Sequence, residues 1–148
     1  MTTFQYRVWI ACAAYGIAST TLVMSAQQAA KPAPATGVYA EAQALRGAAI
    51  YAENCAQCHT PTLEGGDLAP ALTGPSFVAR WTAGKPLSGL FDYMRSEMPL
   101  NSPGGLTARH NADLLAFLLQ KSGYPAGKTD LPTTSAQLTG VNVMKIGR

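Results

Sequence analysis

The strongest chemical signal in the chain is the run Cys55-Ala56-Gln57-Cys58-His59. Two thiols separated by two residues can close a small disulfide, share a metal ion, or bond the two vinyl groups on one edge of a porphyrin. The residue after the second thiol decides among these. A histidine there lies beneath a porphyrin iron once both sulfurs hold the ring edge. A redox pair of this spacing belongs beside a βαβ pattern, which the sequence lacks. A structural zinc site needs four ligands, and the other histidine, His110, lies far along the chain. The motif implies one covalent haem c, with Cys55 and Cys58 attached to the ring and His59 bound to the iron.

The other face of the iron needs a ligand, and the candidates are methionines and His110. Met98 is followed by Pro99, which holds the chain extended and sets the approach of the thioether. It lies far enough beyond His59 to wrap a large ring. Met94 falls one helical turn after Leu90 and reads as core filler. Met144 sits near the C-terminus, and His110 reads as a solvated surface histidine. Met98 is therefore the expected sixth ligand. A His/Met pair saturates the iron and raises its reduction potential, because a soft thioether favours Fe(II). Both effects point to single-electron transfer rather than catalysis. The alternative is a haem enzyme or gas sensor in which Met98 is displaceable.

The elements that must position these groups read as helices. Glu41 to Asn54 forms one, with Ala42, Leu45, Ala49 and Ala52 at helical spacing. Gly47 inside it costs about 1 kcal/mol against alanine, a cost that a close helix crossing would explain. Residues 60–75 are rich in Gly and Pro and read as an irregular loop. A short helix over Ser76 to Ala83 is expected, then one from an N-cap at Ser88 to Arg95. The last runs from an N-cap at Thr107 to Lys121, with Leu114, Leu115, Phe117, Leu118 and Leu119 buried and Gly123 ending it. No segment reads as a strand, so the expected fold is all-α. Residues 124–148 read as a polar, solvated tail in which Lys128, Lys145 and Arg148 carry charge.

Before the haem domain, Arg7 precedes an apolar run from Val8 to Met24, and Ser25 and Ala26 precede polar residues. Residues 1–26 read as a signal peptide or, if uncleaved, as an N-terminal anchor. Residues 27–37 form an Ala/Pro-rich linker, residues 38–123 the domain, and residues 124–148 the tail. Cleavage removes Cys12 and leaves Cys55 and Cys58 as the remaining thiols. Export to the periplasm follows, with membrane contact only if the first segment stays. With 13 % charged and 47 % apolar residues, the chain is too apolar to be disordered and too mixed for a multi-span membrane protein. A net charge of +3 without a basic cluster excludes nucleic acid as a partner.

Beyond the haem motif, residues from about Ala42 to Ser122 resemble class I c-type cytochromes. Gly47 and Tyr51 resemble the glycine and aromatic of that family's first helix, and Asp113 to Leu118 its last helix, whose aromatic packs on the glycine. The resemblance implies a small helical domain wrapped around one haem. It implies that the Pro70 carbonyl, in Pro70-Ala71-Leu72-Thr73-Gly74, accepts a hydrogen bond from His59, and that Trp81 bonds a haem propionate. The stretch from Phe77 to Leu106 is similar to monohaem cytochromes that accompany periplasmic quinoprotein dehydrogenases. The implied partners are such a dehydrogenase and a terminal oxidase or other acceptor. The implied role is an electron carrier or, alternatively, the haem subunit of a dehydrogenase complex.

Overall fold

A computed structural model describes residues 37–143. The expected signal peptide or anchor, nearly all of the linker, Met144, Lys145 and Arg148 lie outside the described residues. The described chain forms α1 (Glu41–Asn54), α2 (Ala56–His59), α3 (Gly74–Trp81), α4 (Leu87–Glu97), α5 (Ala108–Lys121) and α6 (Ser135–Leu138). Among the described residues there is no strand, only isolated bridges pairing Ala40 with Gly127 and Pro86 with Asn142. The fold is all-α.

The frame of the molecule is the packing of α1 on α5. A Cβ on Gly47 would fall onto the Asp113 carbonyl and within 2.9 Å of Phe117 Cβ. The glycine inside α1 is there because two helix backbones meet at it. One turn further along, Tyr51 and Phe117 pack with ring centroids 5.2 Å apart at 44°, a favourable tilted pair. This contact selects which face of α1 is buried. Gln43, Ala44, Gly47 and Tyr51 point inward, whereas Ala42, Ala49 and Ala52 are exposed and Leu45 is 64 % exposed. The apolar spacing predicted a helix correctly, but its apolar stripe faces solvent.

Helix ends follow local chemistry. Thr107 caps α5 by accepting from His110 N at 3.1 Å. Gly123, at φ 82, closes it with paired bonds from Gly123 N to Gln120 O and Tyr124 N to Leu119 O, each 3.0 Å, a Schellman arrangement. The expected helix over Ser76 to Ala83 instead starts at Gly74, because Pro75 suits the first turn. The expected cap at Ser88 is replaced by Pro86. The first amide of α4, Leu87 N, donates to Val141 O at 3.0 Å, and no side chain caps the helix.

That bond belongs to a larger correction. The segment after Gly123, expected to be a solvated tail, folds back as a strap over the domain. Tyr124, Leu131, Leu138 and Val143 are buried in the same core as α1, α4 and α5. The Gln43 side-chain amide pairs with the Leu131 backbone in both directions, donating at 3.3 Å and accepting at 2.6 Å. Tyr39 Oη donates to Tyr124 O at 2.6 Å, and Ser135 Oγ donates to Asp92. Arg46 holds Asp113 through two bonds of 3.0 and 3.1 Å and Asp130 through one of 2.6 Å. Lys128 alone of the tail's expected surface charges lies among the described residues, and it is exposed.

Candidate haem site

Between these helices lies a cavity of about 750 Å³, within the range of cofactor-sized pockets. One part of its lining is the single turn α2 with the residues before it: Tyr51, Cys55, Gln57, Cys58 and His59. Another is the loop at Leu68–Leu72 together with Phe77, Arg80 and Trp81 from α3. Leu90, Met94, Met98 and the following loop to Leu106 complete it with Asn111, Leu114 and Leu118 of α5. The lining is mostly apolar, which keeps water from a bound group.

The six site residues expected from the sequence all line this one cavity. Cys55 and Cys58 carry free thiols. Burial, with Cys58's charge second, pushes the Cys55 thiol up to about 11. His59 is buried, and its Nδ1 lies 2.8 Å from Pro70 O. That contact fixes the ring and assigns the proton to Nδ1, leaving Nε2 as a free donor to a metal. Met98 ends α4 in extended backbone (φ −124, ψ 150), with its amide donating to Met94 O at 3.1 Å. Its rival Met94 is core although it also reaches the cavity. His110 is exposed on the first turn of α5. Trp81 is half-buried, with Tyr93 packed at 5.0 Å and the Arg80 guanidinium 4.8 Å over its ring, a cation–π contact.

Two thiols at one edge, an imidazole with its outer nitrogen already bonded, and a thioether all line one apolar cavity. This donor set fits covalent haem. Bound haem would supply an iron that alternates between Fe(III) and Fe(II).

The sequence placed Tyr51 at the helix crossing but gave its hydroxyl no partner, and it did not mark Asn111, Leu68 or Leu100 at the site. Tyr51 Oη donates to Thr60 O at 2.6 Å, and burial, then the charge of Cys55, pushes this phenol up to about 12. Asn111 Nδ2 donates to Leu106 O at 3.2 Å and Thr107 O at 3.0 Å, tying down the end of the loop that starts at Met98. An asparagine at helical spacing with Leu114, Leu115 and Leu118 was the available signal. Leu68 and Leu100 line the cavity yet are 77 % and 79 % exposed, so the cavity mouth has an apolar rim. Nothing in their sequence neighbourhood marks them.

The family model described as cytochrome c oxidase, cbb3-type, subunit III, matches residues 42–118, just over half of the chain. No curated protein matches the chain significantly. The crystal structure of the sulfane dehydrogenase SoxCD from Paracoccus pantotrophus matches with 25 % identity and a TM-score of 0.47. The match covers 68 % of this chain and 52 % of that one, so the chain spans about half the length of that solved relative. With the all-α fold, the Gly47 crossing and the haem motif within the matched residues, the chain belongs to this family and is a class I c-type cytochrome, a haem electron-transfer domain.

Proposed function

We propose that this protein is an exported carrier that moves single electrons between redox proteins, using one haem c held by Cys55 and Cys58 with His59 and Met98 as axial ligands. The observation that carries this reading is that both thiols, His59 and Met98 line one apolar cavity, with His59 Nδ1 already engaged by Pro70 O at 2.8 Å. Cys55 and Cys58 anchor the ring edge. Pro70 keeps the His59 imidazole oriented and electron-rich, which stabilises Fe(III). Met98 would hold the iron on the side away from His59, where a thioether favours Fe(II). Trp81, packed by Tyr93 and Arg80, would hold a haem propionate. Phe77, Leu90, Leu114 and Leu118 supply the apolar packing that excludes water.

The exposed Leu68 and Leu100 suit brief docking by a redox partner at the cavity mouth, since a small apolar patch lets two proteins meet and part quickly. The partners in this reading are a periplasmic dehydrogenase as donor and a terminal oxidase or other acceptor. Catalysis resides in those partners. The basis for a periplasmic location is the export-type N-terminus together with covalent haem attachment.

A pyridine haemochrome spectrum of the purified protein should show c-type haem. Met98→Ala should keep that haem, lower the reduction potential, and bind cyanide or CO rapidly, whereas the wild type resists both. An unchanged potential in Met98→Ala removes Met98 from the ligand set. Rapid CO binding by the reduced wild type replaces the carrier reading with that of a sensor or haem enzyme.

A further inference from the structure

Thr60 follows His59 directly, and its backbone sits at φ 63 and ψ 154. This region is populated almost solely by glycine, and a β-branched residue stays there only when its surroundings hold it. Three hydrogen bonds to the His59 and Thr60 carbonyl oxygens hold this turn, beside a side-chain contact of Thr60 Oγ1 with Thr62 Oγ1 at 3.2 Å. Leu63 N and Tyr51 Oη both donate to Thr60 O, at 3.2 and 2.6 Å, and Gly65 N donates to His59 O at 3.2 Å. Of these donors, Tyr51 is the one anchored outside the turn. It is 3 % exposed, and its ring rests on Phe117, at the α1–α5 crossing. A phenylalanine would fill the same space, so the hydroxyl serves something other than packing. A line of contact therefore runs from the helix crossing, through the phenol, to the peptide that sets the direction of the His59 side chain.

We infer that Tyr51 is a positioning residue for His59: its hydroxyl holds the Thr60 peptide in a conformation that threonine resists, and so keeps the imidazole against the Pro70 carbonyl. This rests on the reading of His59 as the iron's ligand. The competing account is that the phenol bonds Thr60 O only because a buried hydroxyl needs a partner. The two accounts separate in a glycine background at position 60, where the backbone conformation is unstrained and the latch is no longer required.

The experiment compares wild-type holoprotein with Y51F, T60G and the Y51F/T60G double variant. The haemochrome spectrum of the wild type tests the ligand reading by itself; absence of c-type haem overturns that reading. Y51F should raise the unfolded-to-folded ratio by about tenfold, the scale of a lost hydrogen bond to a part-buried acceptor. It should also raise the reduction potential, because a loosened His59–Pro70 bond weakens the imidazole as a donor to Fe(III). In the T60G background the same change should cost less than about threefold in that ratio, showing coupling between the two sites, and the potential should return toward the wild-type value. An equal penalty in both backgrounds, or an unshifted potential in Y51F, overturns the inference. If Y51F yields no haem-loaded protein, recovery of loaded protein in the double variant is the supporting result, and failure to recover it overturns the inference.

Discussion

Replacing Gly47 with alanine should destabilise the protein, although the same replacement in an open helix stabilises it. Alanine in a helix interior gains about 1 kcal/mol over glycine. At Gly47 the new Cβ would meet the Asp113 carbonyl and, at 2.9 Å, Phe117 Cβ. The obstacles are α5 backbone and the root of a packed ring, not the end of a flexible side chain, so the helices must separate. Asp113 is also tied to Arg46 on the other helix, which resists separation. Overpacking of this kind costs about 3 kcal/mol or more, leaving a net loss of about 2 kcal/mol. Gly89 is the internal control. It lies in α4, and nothing stands within 4 Å of a Cβ added there, so Gly89→Ala should gain about 0.5 kcal/mol. Urea titrations of the two holoproteins, followed by the haem absorbance, should place their midpoints on opposite sides of the wild type. A Gly47→Ala protein as stable as the wild type would refute the claim that backbone contact at this crossing dictates the glycine.

Leu138→Ala tests the strap. The side chain is fully buried, so the change should cost about 2–4 kcal/mol, and a urea midpoint equal to the wild type would return this segment to the status of a solvated tail. Stability should also fall in alkali with a defined sign. Burial holds the Tyr39 phenol above its ordinary 10.0 and Tyr51 at about 12. The unfolded chain therefore ionises first, and the stabilisation is intact below pH 10 and lost as pH rises toward about 12. Urea midpoints on either side of pH 10 check this, and Tyr51→Phe should flatten the decline.

What was legible in the sequence was chemistry held within a few residues, or a local cost with no local explanation. Cys55, Cys58 and His59 need one another at fixed spacing, so the motif names its cofactor without a fold. Gly47 announced a crossing because a glycine inside a helix must be compensated from outside. Thr107 and Gly123 marked the ends of α5 because caps act on amides and carbonyls within one turn. Apart from the start of α3, which Pro75 sets within its own first turn, the misread features involve partners distant in sequence. Ala42, Leu45, Ala49 and Ala52 fit the helical period as well as the true buried set does, and only the approach of α5 decides between the two faces. Ser88 was a sound cap locally, but α4 begins one residue earlier, at Leu87, whose amide is held by Val141 O from the distant strap.

The strap shows why such partners escape a sequence reading. Its buried residues Tyr124, Leu131 and Leu138 lie seven apart, but the i+3 and i+4 positions between them are Gly127, Lys128, Thr134 and Ser135, so no apolar stripe marks them and Val143 falls off the period. The Gln43 amide binds Leu131 as a neighbouring strand would, across 88 residues. A buried glutamine looks like a solvated polar residue until its backbone partner arrives. The same logic applies at the site. The Tyr51 hydroxyl reaches only nine residues along the chain, yet its meaning depends on the unusual φ of Thr60, which no composition or period encodes. A chain that carries its reactive groups in one short motif leaves the positioning of those groups to distant contacts, and it is there that substitutions outside the motif should change the behaviour of the iron.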